Sequence, residues 1–438
     1  MARTDASAPA DPTPLFADAG LERDGHGVLR MGGVSLDSIA ADIGTPAYLY
    51  HAAPIRERYR SLTAAFREIP HEIHYAVKAN SNLAVLNLLK GLGAGADIVS
   101  GGELQRVLRA GFDPGLIVFS GVGKSEEELE AAVAARIGSI NIEAPEEMTV
   151  LERIAARRSD PSPIRLGIRV NPDVAAETHP YISTGAGGIK FGVPVEQVPA
   201  LAKRIASNPR FTLVGIAMHL GSQLLDPAPF TRGAAKLTEL LDQLKDLGIR
   251  TITTLDAGGG LGIRYRDETP LSPESLAAQL GPIVTGRGLT LHLEPGRYLV
   301  GSAGILLAKV LYRKRSGGKD FVIVDASMTD LVRPSHYQAY HAMVETTSRH
   351  ANGVVADVVG PVCETGDFLA LERLLPDVQP GERIAILCAG AYGAVMSSNY
   401  NTRPRAPEVL VDRGRYAVAR PRETTDALFR DEVVEPLP

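Results

Sequence analysis

Between residues 73 and 296, short apolar runs alternate with longer stretches of helical period. The runs are IHYAVK (73–78), ADIVS (96–100), LIVFS (116–120), SINIE (139–143), IRLGIRV (164–170), LVGIAMHL (213–220), TTLDAGG (253–259) and TLHLEPG (290–296). Their length and apolar content suit buried strands. Between them lie stretches such as NLAVLNLLKGLG, GGELQRVLRAG, SEEELEAAVAARIG and APEEMTVLERIAARR. Apolar residues there recur at i, i+3, i+4 and i+7, and glycine often closes the stretch, which predicts amphipathic helices. Strand–helix alternation predicts parallel pairing through crossovers. Eight such units are what a closed (β/α)8 TIM-like barrel needs. An open doubly wound sheet is the alternative. The gaps after the fifth and sixth runs exceed a minimal unit, so insertions belong there.

After residue 305 the rhythm changes. ILLAKVLYRKR, DFVIVDAS, GVVADVVGP, RIAILCAG and RPRAPEVLVDRGRYAVARPR read as strands, mostly without intervening helices, and DRG suits a hairpin turn. The early run GVLRMGGVSL (27–36) is also strand-like and is expected to join this second domain. The predicted class is therefore α/β: a barrel plus a C-terminal β-rich domain, a β-sandwich, that takes up an N-terminal strand. The expected boundaries are a disordered leader at 1–24, a joining segment at 25–48, the barrel at 49–304 and the β-domain at 305–438.

The chain has 438 residues, two domains' worth, with 45% apolar residues and a net charge of -5. No basic block is present, so nucleic-acid binding has no support. No apolar run approaches the length of a membrane helix, and the N-terminus lacks the apolar stretch of a secretory signal. The two cysteines, Cys363 and Cys388, form no C-x-x-C pair. That argues against a disulfide framework and a zinc site, and it fits a reducing cytoplasm. No metal and no membrane association is expected.

Barrel chemistry gathers at the C-terminal strand ends. Lys78, Ser100, Glu143, Arg169 and Asn171, His219, Gly258-Gly259-Gly260 and Glu294-Pro295-Gly296-Arg297 all fall there. Alone, Lys78 reads equally well as a surface lysine, His219 as a core histidine and the glycines as a tight turn. Together they place an amine, an imidazole, an anion-binding glycine loop, a carboxylate and a guanidinium on one ring. A desolvated lysine can form a Schiff base, and pyridoxal 5'-phosphate (PLP) is the cofactor that uses one. The glycine loop, with Ser222, would cradle its phosphate. Glu294 would face the pyridine nitrogen, and His219 would lie on the ring.

HYAVKAN, ADIVSGGEL, MHLGSQ, LDAGGGLG, EPGRYLVG, GPVCETGDFL and GAYGAVMSSNYNTRPRAPEVLV follow one another between residues 27 and 422. In that order they resemble the PLP-dependent diaminopimelate decarboxylases. These belong to the alanine-racemase-fold decarboxylases, with the ornithine and arginine enzymes. The resemblance implies that Lys78 is the Schiff-base lysine and that His219 lies against the ring. It implies that Ser222, Gly258, Gly259, Gly260 and the Glu294–Arg297 segment hold the cofactor. It assigns substrate contacts to Arg297, Arg333 and Tyr337, and cofactor and substrate contacts to Tyr392. Cys363 and Glu364 would enter the site from a partner subunit of a homodimer, with Cys363 as a proton donor. The expected reaction converts meso-2,6-diaminopimelate to L-lysine and CO2. Arg297 and Arg333 would bind the distal carboxylate and Glu364 the distal amine. Buried arginines left unpaired would reject ornithine or lysine. A decarboxylase of another amino acid or of a carrier-bound aminoacyl group, and a non-catalytic PLP-binding relative, stay open. THPYISTGAGGIKFG (178–192) reads as a mobile lid or a plain insertion.

Overall fold

The dipeptide Gly32-Gly33 reverses the chain, with φ of 54° and 83°. Only glycine holds both values without strain, and the result is a two-residue hairpin. In the computed structural model, which describes residues 12–174, 185, 188–350 and 352–435, this hairpin joins β2 (Leu29–Met31) to β3 (Val34–Ser35). With β1 (Leu21–Arg23) they form a separate three-stranded sheet. The run 27–36 is thus bent into two short strands by its own glycines. The N-terminal strand that enters the large β-sheet lies further on, at β4 (Ala47–His51), where all five residues are buried. The expected leader also differs over its described part. Thr13–Ala19 forms a helix that buries Leu15 and Ala19 and ends on Gly20 in the left-handed region. Those two apolar anchors offset the ordering cost that its polar, proline-rich surroundings suggested would prevail.

The eight anticipated runs become β5 (His71–Ala76), β6 (Gly95–Ile98), β7 (Ile117–Phe119), β8 (Ser139–Ile142), β9 (Ile164–Asn171), β11 (Phe211–Ala217), β12 (Thr254–Asp256) and β13 (Thr290–Leu293). The two-residue β10 (Val193–Pro194) adds to β9. Neighbouring barrel strands pair in parallel, β8 with β9 and β13 with β5, so the sheet closes. Closure excludes the open-sheet alternative. The intervening helices carry their own start signals. Ser125 and Glu128 form a capping box for Glu126–Ala134, and the side chains of Asn82 and Ser100 cap two others. Most of the lid segment 178–192 lies outside the described residues.

The β-rich part is organised around β14 (Gly304–Ser316), a strand of 13 residues. Its first half pairs with β4 and β19 (Arg383–Ile386), and its second half with β15 (Lys319–Val324). One long strand thereby serves two stretches of sheet. β16 (Met343–Glu345), β17 (Gly353–Val359), β18 (Phe368–Pro376), β20 (Glu408–Asp412) and β21 (Arg415–Arg420) complete it. The β20–β21 hairpin turns at Arg413-Gly414, the predicted DRG. The chain divides into two compact units. One is 56–263 with 269–298; the other is 1–55, 264–268 and 299–438.

Candidate active site

In the barrel unit, β5 runs out into a single 3-10 turn, Val77–Ala79, which carries Lys78. The lysine is not a free surface group. Its Nζ lies 2.6 Å from Asp97 Oδ2 on the adjacent strand β6. Asp97 is fully buried, and burial, with the charge of Glu294, pushes its carboxyl up to about 7. Asp97 sits inside the motif ADIVS, but strand reading treated that run as core; nothing in it announced an ion pair.

Glu294 follows the end of β13 and is buried. Burial opposes its charge, yet the neighbouring imidazole of His219 and the Lys78 ammonium outweigh it and hold the carboxyl down at about 2. His219 follows β11. Its Nδ1 accepts the Gly259 N–H at 3.2 Å and lies 3.7 Å from Glu294 Oε2. Burial pushes its pKa down, which favours the neutral ring. Asp256 on β12 goes the other way. Burial and the charge of Glu294 raise it well above the usual carboxylate range, which favours its protonated form, and its Oδ1 accepts the Gly258 N–H at 2.7 Å.

The glycine loop is glycine for a reason internal to the protein. A Cβ on Gly259 would stand 2.1 Å from the carbonyl oxygen of Glu294, and one on Gly258 2.5 Å from that of Met218. A Cβ on Gly260 would stand 2.8 Å from Gly221 O. The loop packs backbone to backbone on its neighbours, which fixes where its N–H groups stand. Gln223 clamps the two loops together: its amide donates to Ile263 O at 2.6 Å and accepts from Ile263 N at 3.1 Å. Ser222 accepts from Arg297 Nε and Nη2 at 3.2 and 3.0 Å. The turn Pro295-Gly296 lies on the end of β5. Pro295 O accepts from Ala76 N, and a Cβ on Gly296 would meet those of Ala76 and Ala79. Thus Lys78, His219, Ser222, Gly258–Gly260 and Glu294–Arg297 are held at one rim. Glu143 and Arg169, at the same strand ends, pair at 2.8 Å, while Glu143 also accepts from Gly121 N and Gly192 N. That satisfied pair is structural.

In the β-rich unit, Arg333 and Tyr337 share the helix Arg333–Tyr337. Arg333 is buried, lies 4.8 Å over the Tyr265 ring and donates to His341 Nε2 at 2.9 Å. His341 Nδ1 gives its hydrogen to Leu387 O at 2.8 Å, so Nε2 is free to accept. Tyr337 is half-buried against His336. Cys363 and Glu364 sit in an exposed turn, so Cys363 is not core. Asp367 builds that turn by accepting from Val362 N and Met328 N, both at 2.7 Å. Tyr392 holds a φ of 55°, a left-handed value that a bulky residue rarely adopts. Gln223 and His341 give no sign in the sequence because their partners Ile263 and Leu387 are 40 and 46 residues away, and Asp256 and Asp367 read as ordinary turn carboxylates until the fold buries them.

The rim suits PLP. It offers an amine for the aldehyde, a buried anion for the ring nitrogen, and the Gly260 N–H with Ser222 and Arg297 for a phosphate, on a loop fixed by the Gly258 and Gly259 hydrogen bonds. Asp97 Oδ1 and Asp256 Oδ2 are buried without a hydrogen-bond partner, so its acidic side is under-satisfied. A parallel barrel with this rim is of the pyridoxal-dependent class. Residues 52–301 match the family of pyridoxal-dependent decarboxylases, over the pyridoxal binding domain. Diaminopimelate decarboxylase of Pseudomonas aeruginosa is 48% identical over 404 residues, 92% of this chain and 96% of that one. That of Aquifex aeolicus is 46% identical over 406 residues, 92% and 95%. The crystal structure of the Helicobacter pylori enzyme complexed with L-lysine superimposes with a TM-score of 0.86 at 40% identity, covering 90% of this chain and 98% of that one. The chain belongs to the diaminopimelate decarboxylase family, and its cofactor is PLP.

Proposed function

We propose that the protein removes one carboxylate of meso-2,6-diaminopimelate, giving L-lysine and CO2. The observation that carries this is the buried, ionised Glu294 beside the Lys78 amine, in a chain whose relatives bear that enzyme's name. When bound, PLP supplies the electron sink that accepts the pair left behind by CO2. Lys78 is the amine that holds the cofactor covalently. Asp97 keeps that amine in place and anionic company close to it. Glu294 would keep a positive charge on the ring nitrogen favourable, and burial, by raising Asp256, disfavours a second negative charge beside it. His219 presents its ring to the cofactor face, its Nδ1 fixed by Gly259. The Gly258–Gly260 loop is the proposed phosphate cradle: Asp256 and His219 take the Gly258 and Gly259 N–H groups and fix the loop, and the Gly260 N–H with the side chains of Ser222 and Arg297 would bind the phosphate.

Substrate recognition is assigned to Arg297, Arg333, Tyr337, Glu364 and Tyr392. A guanidinium for the distal carboxylate and Glu364 for the distal amine distinguish this substrate from one ending in an amine alone. Cys363, exposed and free, is the proposed donor of the proton that replaces CO2. An exposed Cys363-Glu364 turn suits a role in the site of a second copy, so the proposed assembly is a homodimer. The proposed location is the cytoplasm; among the described residues no helix is long and apolar enough to cross a membrane. Measuring CO2 release from diaminopimelate, ornithine, arginine and glutamate tests the reading. Turnover of diaminopimelate alone is expected. Turnover of another of the four, with none on diaminopimelate, overturns it.

A further inference from the structure

Lys78 stands beyond the C-terminal end of β5; the start of the same strand carries Glu72 and His74. Two residues apart on a strand, their side chains leave the same face. His292 on β13 is the direct register partner of Glu72. Three side chains thereby converge inside the barrel wall. Glu72 Oε2 is 3.2 Å from His74 Nε2 and 3.4 Å from His292 Nε2. The two imidazole centroids are 4.4 Å apart, and all three donor atoms lie within 4.8 Å of one another.

The hydrogen-bond inventory says what this cluster wants. His74 Nδ1 is 3.1 Å from Leu116 O. A carbonyl only accepts, so Nδ1 carries the hydrogen, and the neutral ring turns a lone pair on Nε2 toward a carboxylate oxygen. Two facing lone pairs need a cation or a proton between them. One ring N–H given to a carbonyl, with the other nitrogen free, is how a metal-binding histidine is oriented. The spacing agrees. Bonds of about 2.0–2.1 Å to a tetrahedral zinc put its ligand atoms roughly 3.3–3.4 Å apart. Access agrees as well. The side chains of His74 and His292 are 2% and 11% exposed, while Glu72 is 43% exposed. The cluster therefore opens to solvent beside the carboxylate, where a water would complete the shell. A competing cation among the described residues is Arg165, whose charge bears on Glu72 and whose Nε donates to Gly138 O.

We propose that Glu72, His74 and His292 bind a divalent first-row transition metal, with Zn2+ best matched to two imidazoles and a carboxylate. This departs from the expectation of no zinc site and no metal, which rests on the cysteines and leaves the pattern E-x-H with a distant histidine out of account. The ion would join β5 to β13 at the seam between the first and last barrel strands. On β13 it would lie two residues before Glu294, about 7 Å along the strand. Its role is to hold that seam rather than to touch substrate.

The test uses the full-length, PLP-loaded protein, treated with a chelator, dialysed and titrated with Co2+. One equivalent per chain is expected to bind with the visible bands of a four-coordinate ion and without thiolate charge transfer. Zn2+ should displace it, and either ion should raise the melting temperature. Glu72→Gln, at a half-exposed position that tolerates the isostere, should weaken uptake by more than about a hundredfold, as should His292→Leu. Uptake unchanged in Glu72→Gln overturns the proposal. So does a thiolate band, which would place the ion on a cysteine, and so does a wild-type protein that takes up no Co2+ and melts at the same temperature with and without it. The last result would leave a proton, not a metal, between His74 and Glu72.

Discussion

The barrel rim and the β-rich unit present their polar residues in opposite ways. On the rim, Asp97, Glu294 and Arg297 are buried, and each is tied to a side chain or loop of another strand. In the β-rich unit, Cys363 and Glu364 stand exposed in a turn, and Tyr392 sits on a strained backbone. Of the candidate site residues there, Arg333 is the buried one, cradled by Tyr265 and His341. The difference is one of where the cost of preorganisation falls. The rim buries carboxylates and offsets that with Lys78 and hydrogen bonds. The exposed turn buries nothing, so its residues gain their environment only when something covers them.

That contrast can be broken by substitution. The largest effect is expected for Lys78→Ala, which should lower CO2 release by roughly 10^4-fold or more, as when a covalent catalytic group is removed. Turnover undiminished in that variant sinks the proposed chemistry. Next, Glu294→Gln should lower kcat by about 10^2–10^3-fold through the loss of a buried charge. Cys363→Ala should lower it comparably through the loss of a proton donor. The two should part in their stability: melting temperature is expected to change with Glu294→Gln and to stay level with Cys363→Ala. If the exposed thiol proves as costly to the fold as the buried carboxylate, the contrast is wrong.

Arg333→Ala should cost about 10–100-fold in kcat/KM for diaminopimelate, the worth of a charge-assisted contact. It should cost little for a substrate that lacks the distal carboxylate, so the ratio between the two is the informative quantity. Asp97 offers a smaller, pH-dependent handle in the cofactor-free protein. Its carboxyl keeps a proton to about pH 7 when folded, against an ordinary value of 3.8. Folding therefore takes up a proton between those limits. Stability should fall as pH rises from about 4 to 7, with the loss complete above that range. Thermal melts of Asp97→Asn across the same range should show a shallower fall than the wild type. The smallest effect concerns Tyr392. Replacing it with glycine should relieve about 1 kcal/mol of backbone strain. A higher melting temperature with lower activity is expected, and a drop in both would show that the ring, not function, holds that backbone.

Periodicity alone placed all eight barrel strands, because each is a short apolar run flanked by helical spacing, and register then carries the following polar residue to one rim. Lys78, His219, the glycines and Glu294 were legible for that reason. The β-rich unit offered no such rule: Cys363, Glu364, Arg333 and Tyr392 were reached through resemblance. The run 27–36 has the apolar content of one strand, but the turn that Gly32-Gly33 imposes divides it into two.

The sequence by itself determined the alternation that closes the barrel, and with it which residues would stand at the strand ends. Those are local properties, set by side-chain period and backbone preference. Only the tertiary structure decided the charge state of what stands there. Asp97 against Lys78, Asp256 pushed up beside a Glu294 held down, and Glu72 between His74 and His292 all depend on strands far apart in sequence. Burial and the nearness of a second charge fix a proton, and neither exists until the barrel closes.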